Sequence, residues 1–209
     1  MIISAIEKKR KMMSAVYIDG EYFMHLDTQT LILKGVKIGD EISQSDLDLL
    51  VKESQERRAR EKALYLIEYR DHSKKELIDK IKRTSSEEAA HKAADKMEEL
   101  GLVNDEEFAK RYARELLYRK HFSKDRATYQ LQLKGIDKDK IEEILNEIEI
   151  DPVDQICSII KNKYLRKLSD EKNKRRTIAA LQRLGYKWQD IKSALTLCNV
   201  EEENEYTYE

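Results

Sequence analysis

The chain has 209 residues, 39% of them charged, 40% hydrophobic and 7% aromatic, with a net charge of −1, six glycines and one proline. That composition favours helix over most of the length, and small modules with much surface over one deep core. It excludes a disulfide framework or zinc site, because Cys157 and Cys198 lack CxxC spacing and the four histidines are scattered, and a membrane span, because no run approaches ~20 apolar residues.

The N-terminal basic run from Lys8 to Lys11 is followed by an apolar stretch that Asp19 interrupts, too short for a signal peptide. The expected location is therefore the cytoplasm. Asp19-Gly20 stands between Ala15-Val16-Tyr17-Ile18 and Glu21-Tyr22-Phe23-Met24. An Asp-Gly pair between β-branched and aromatic residues signals a hairpin, since both turn positions need positive φ. A short helix is expected over Thr30–Lys34, stopped by Gly35, and another from Ser43 with Asp46 three residues on. Residues 1–42 read as a small β-containing cap, inside an N-terminal extension over 1–54.

Helical start signals then recur. Ser73 with Glu76, Ser85 with Glu88, and Asn104 with Glu107 have capping-box spacing, Asp137 suits an N-cap, and Asp151-Pro152 places proline at a first helical position. Gly101, Gly135 and Gly185 stand where helices should stop. LQLKGIDKDKIEEIL, from Leu131, and LQRLGYKWQDIKSAL, from Leu181, align without a gap and share Leu-Gln, Gly, Ile and a final Leu. The marks divide the chain into three three-helix repeats, 55–103, 104–149 and 150–198, with an acidic tail over 199–209. The fold class is mainly α: three tandem three-helix repeats behind a hairpin-containing segment.

Charge is ordered within the repeats. Residues 108–134 carry eight Lys or Arg against Glu115 and Asp125, whereas 137–154 carry eight acids against Lys138 and Lys140. Lys161 to Lys187 holds ten basic residues against Asp170 and Glu171. Basic first and second helices with an acidic third offer a positive stripe, the footprint of phosphate backbones, and a negative one for a basic protein surface. The basic candidates for partner binding are Arg111, Arg114, Arg119, Lys120, Lys124, Arg126, Lys134, Lys174, Arg175, Arg176 and Arg183.

No nucleotide-binding glycine loop is present. Ser73 beside His72 has a capping role and His121 belongs to the basic stripe, while Tyr186 and Trp188 are expected to pack the third repeat. No catalytic constellation and no cofactor are expected. The helix–glycine–helix wiring also permits a DNA-binding reading, although Asp-Lys-Asp-Lys after Gly135 is a poor base reader.

The runs ALYLIEYRDHSKKELIDKI, EELGLVNDEEFAKRYARELL and DRATYQLQLKGI resemble the RecX family of bacterial regulatory proteins. RRTIAALQRLGYKWQDIKSAL is similar to that family's C-terminal motif, and the stretch from Val16 to Ser43 to its low-GC Gram-positive N-terminal extension. The resemblance implies a modulator of RecA that binds the RecA–single-stranded DNA filament as a monomer, without catalysis. The DNA would be met through the filament, and strand exchange, ATPase and coprotease activity would fall. Leu100-Gly101-Leu102, Asp105 and Phe108 match its most distinctive signature, and Arg114, Arg126 and Lys134-Gly135-Ile136 its basic second repeat. Two departures stand out: His121-Phe122-Ser123 replaces a glycine-containing turn, and Thr84-Ser85 a Gly-aromatic helix end.

Overall fold

The computed structural model describes residues 1–164, 168 and 171–205, with the side chains of the last helix described as far as Cys198. Three antiparallel strands, β1 (Ile3–Lys8), β2 (Met13–Ile18) and β3 (Glu21–Asp27), form a sheet in that order. The expected hairpin is β2–β3, where Asp19 at φ 50° and Gly20 at φ 89° supply the two left-handed turn positions. Strand β1 was not expected. A bulge between Ile3 and Ala5 spoils its alternation, so Ile3 and Ile6, three apart, both join the core side.

Helix α1 spans Thr28–Leu33 rather than starting at Thr30. The buried Asp27 caps it, accepting from the Thr30 N–H and hydroxyl at 2.8 and 2.9 Å. Helix α2 (Gln44–Tyr69) then runs unbroken past residue 54, the expected end of the N-terminal extension. Its first part places Leu50 under the sheet with Ile3, Val16, Leu26 and Leu31; its second part places Ala59, Ala63 and Leu66 in a different core. Ser54, whose Oγ accepts from the Asp27 N–H at 2.7 Å, is the last of its buried residues before Ala59.

Three helical triplets follow in sequence. Helix α2 packs with α3 (Lys74–Ile81) and α4 (Glu87–Glu99) around Leu77, Ile81 and the alanines Ala89, Ala90, Ala93 and Ala94, which let α4 approach closely. Next come α5 (Asp105–Arg114), a one-turn π-helix (Glu115–Arg119), α6 (Lys124–Leu133) and α7 (Lys138–Asn146) around Phe108, Leu116, Leu117, Leu131 and Ile141. The wider π turn brings consecutive Leu116 and Leu117 both to full burial. The last triplet is α8 (Pro152–Lys163), α9 (Glu171–Arg183) and α10 (Trp188–Glu205), around Ile156, Ile160, Leu181 and Ile191.

Equivalent positions recur at a fifty-residue interval. Ile81, Leu131 and Leu181 are all fully buried in the second helix of their triplets. Ser73 and Ser123 cap α3 and α6. Ser86, not Ser85, caps α4 through the Ala89 N–H, one residue later than the capping-box spacing indicates. The expected acidic tail over 199–209 lies outside the described side chains, though α10 itself extends to Glu205. The sheet and first triplet form one compact unit, Met1–Asn104, and the other two triplets a second, Asp105–Glu209.

Candidate nucleoprotein-binding surface

All eleven basic candidates fall in the second unit, and the structure separates them by what each already touches. Lys124 is half-buried, and its Nζ donates to the Leu145 carbonyl at 2.7 Å, tying α6 to the end of α7. That is a favourable place for a cation, because carbonyls at a helix C-terminus carry partial negative charge. Its equivalent Lys74 likewise reaches the third helix of its triplet, at 2.7 Å from both Asp95 and Glu98. Those two carboxylates push the Lys74 ammonium well above the usual lysine range.

Lys120 and Lys134 converge on one aromatic ring, their Nζ atoms 5.4 and 5.7 Å from the centre of Tyr112. Lys120 also pairs with Glu115 at 3.2 Å. Arg126 lies 5.8 Å from the Phe122 ring and 5.6 Å from the half-exposed Tyr129 ring. Arg111 donates to the Glu107 carbonyl of its own helix, and Lys174 stands 3.9 Å from Glu171. Arg114, Arg119, Arg175, Arg176 and Arg183 are exposed and have no ion pair among the described residues. Arg126 and Arg176 are related by the fifty-residue interval, in the first turn of α6 and the second turn of α9. In the first unit, by contrast, lysines bridge helices: Lys52 to Glu88, Lys92 to Glu56, Lys74 to α4. The aromatic partners Tyr112, Phe122 and Tyr129 were missed; the four- and three-residue spacing of Phe122 and Tyr129 from Arg126 was an available signal, whereas Tyr112 meets its lysines only through the fold.

The turn between the π-helix and α6 fixes where Arg126 stands. His121 adopts φ 53°, so it takes the left-handed conformation at the turn where a glycine was expected from the resemblance. Its carbonyl accepts from the Tyr186 hydroxyl at 3.0 Å, while the Ser123 N–H donates to Leu184 O at 3.0 Å. The turn at Gly185 is thereby joined to the start of α6, and the second and third triplets are locked together. Burial pushes the Tyr186 phenol well above its ordinary range, keeping it a neutral donor. Tyr186 packs the third triplet as expected, but Trp188 does not: it is 52% exposed.

Among the described residues no group of three His, Cys, Asp or Glu is placed to hold a metal ion, and no helix is long and apolar enough to cross a membrane.

These features define a tandem helical-repeat protein whose second unit carries exposed arginines and lysines, several of them against aromatic rings. The chain belongs to the RecX family of regulatory proteins, a family of regulators rather than of enzymes. Residues 104–145 match the family segment described as RecX, second three-helix domain. The chain is 31% identical to regulatory protein RecX of Caldanaerobacter subterraneus subsp. tengcongensis over 94% of its own length and 100% of that protein. It is 28% identical to regulatory protein RecX of Clostridium tetani, covering 91% and 90% of the two chains. The fold is shared with a crystal structure of regulatory protein RecX, at a TM-score of 0.60 and 19% identity over 93% of this chain and 98% of that one. RecX from Lactobacillus salivarius aligns at a TM-score of 0.57 and 19% identity, covering 70% and 97%.

Proposed function

We propose that this chain modulates the RecA recombinase by binding the filament that RecA forms on single-stranded DNA. Inhibition of strand exchange, ATPase and coprotease activity follows, and with it a role in recombination, DNA repair and the SOS response in the cytoplasm. The observation that carries this reading is family membership along 94% of the chain. Arg114, Arg119, Arg175, Arg176 and Arg183, which have no ion pair among the described residues, support it, because they leave positive charge for a phosphate backbone or an acidic protein face. Tandem repeats suit a repeating target, since weak contacts on successive subunits combine through effective concentration.

Binding to immobilised RecA–single-stranded DNA filament, compared with bare single strand and with RecA alone, tests the proposal. The filament should be held tightest. Arg175→Glu with Arg176→Glu should weaken that binding about tenfold or more, at up to ~1 kcal/mol per exposed charge contact, with the helical circular dichroism unchanged. Equal affinity for bare DNA and filament favours a plain DNA-binding protein. Binding by the double variant that matches the parent across a salt series removes these arginines from the interface.

A further inference from the structure

The N-terminal sheet has two unlike faces. Its inner face carries Ile3, Val16 and Leu26 into the core under α2. Pairing register places Glu7, Ala15 and His25 on the other face, together with Ala5, Tyr17 and Tyr22. The alanines keep the middle of that face low, and the aromatic groups form one connected row. The Tyr17 and Tyr22 rings meet edge-on at 5.8 Å, and Tyr22 meets His25 at 5.5 Å. A 2.7 Å hydrogen bond between the Tyr22 hydroxyl and His25 Nδ1 fixes the second pair. The row continues toward the β1–β2 turn, with the Tyr17 hydroxyl donating to Glu7 Oε2 at 3.4 Å and Lys9 Nζ 2.7 Å from the same oxygen. Tyr22 is nevertheless 52% exposed, and the bulge residue beside it, Phe23, is 38% exposed.

Basic charge gathers at one end of this row, the β1–β2 turn, while the acids Asp19 and Glu21 stand at the other end, beside Tyr22. Lys8, Lys9, Arg10 and Lys11 are consecutive and exposed at the β1–β2 turn. Lys9 is neutralised by Glu7; Lys8, Arg10 and Lys11 have no ion pair among the described residues. Exposed rings at one end of a sheet and unneutralised cations at the other suit an extended strand of unpaired nucleotides, whose bases offer flat faces for stacking and whose phosphates need positive charge. A duplex hides those base faces in its own stack. A peptide without acidic side chains would answer the rings but not the run of cations.

We propose that the outer face of the N-terminal sheet is a binding platform for single-stranded DNA, with Tyr22 and His25 stacking bases and Lys8, Arg10 and Lys11 holding phosphates. The choice of DNA over RNA rests on the recombinase-filament reading. The site's own test contains no recombinase, so its failure and the failure of that reading are distinguishable.

The experiment is fluorescence anisotropy of a labelled oligo(dT) with the full chain across a salt series. Tyr22→Ala should weaken binding about tenfold, the scale of losing one stacked base. Tyr22→Phe, which keeps the ring, should stay within about twofold of the parent. Arg10→Ala with Lys11→Asn, asparagine being chosen for the left-handed φ of 58° at position 11, should flatten the slope of log K against log salt by ~1.4. A 5-iododeoxyuridine oligomer should cross-link to the tryptic peptide from Met12 to Lys34. Cross-links confined to the second unit, no binding by the parent, or an unchanged salt slope in the Arg10/Lys11 variant each overturn the proposal. The slope test stands even if Tyr22→Ala proves unstable.

Discussion

Replacing Gly185 by alanine should destabilise the second unit by roughly 2–4 kcal/mol, the sum of two effects. Gly185 sits at φ 95°, where an L side chain is strained by about 1–2 kcal/mol. A Cβ there would also lie 2.7 Å from Arg126 Cβ and 2.4 Å from Ser123 Oγ, closer than any real contact. Ser123 Oγ accepts from the Arg126 N–H at 3.2 Å as the cap of α6, and displacing a cap costs ~0.5–2 kcal/mol. Urea unfolding followed by the fluorescence of Trp188, the chain's one tryptophan, reads the effect beside the substituted turn. With a slope of ~2 kcal/mol per molar, the midpoint should fall by about 1–2 M. Gly101→Ala is the control: φ is 68° but nothing lies within 4 Å, so backbone strain of ~1–2 kcal/mol is its whole cost by far-ultraviolet circular dichroism. Equal losses for the two substitutions would refute the claim that the Gly185 turn is wedged against α6.

Lys124→Met should lower stability by about 1–2 kcal/mol through loss of the contact to Leu145 O while leaving filament affinity unchanged; a drop in affinity at constant stability would place Lys124 at the partner instead. The pH response should trace to His72, which is 3% exposed with Nδ1 2.7 Å from the Arg70 carbonyl. Burial, joined by the charges of Arg70 and Lys80, holds its pKa below the ordinary 6.5 against the raising effect of that carbonyl and Glu76. A depressed folded pKa means that the unfolded chain binds the proton first. The contribution is therefore complete above about pH 6.5 and is lost as pH falls through the folded value. His72→Asn should flatten that acid-side loss in urea midpoints taken from pH 7.5 to 5; an unaltered slope would assign it to other groups.

Caps and turns were the most legible part of the sequence, because each depends on a few adjacent residues. Ser43, Ser73, Asp137 and Asp151 cap the helices they were expected to cap, and Asp19-Gly20 makes its hairpin. Strand β1 stayed hidden behind its bulge. The unbroken course of α2 stayed hidden because its buried face changes: Leu47, Leu50 and Ser54 follow one stripe, Ala59, Ala63 and Leu66 another. The basic stripe was visible as composition, but its division was not. Lys124 and Leu145 are twenty-one residues apart, and only tertiary packing brings them into contact. Nor does sequence distinguish His121 in a left-handed turn from a solvent-facing member of the stripe; the backbone conformation decides it.

The central claim is most directly tested by the DNA-dependent ATPase of the host's own RecA on single-stranded DNA, with this protein added at a small fraction of the RecA concentration. The account predicts strong inhibition at that ratio, and much weaker inhibition by the Arg175→Glu/Arg176→Glu variant. Inhibition that arises only when the protein saturates the DNA, or none at any ratio, would contradict filament regulation and leave a helical-repeat protein with a different target.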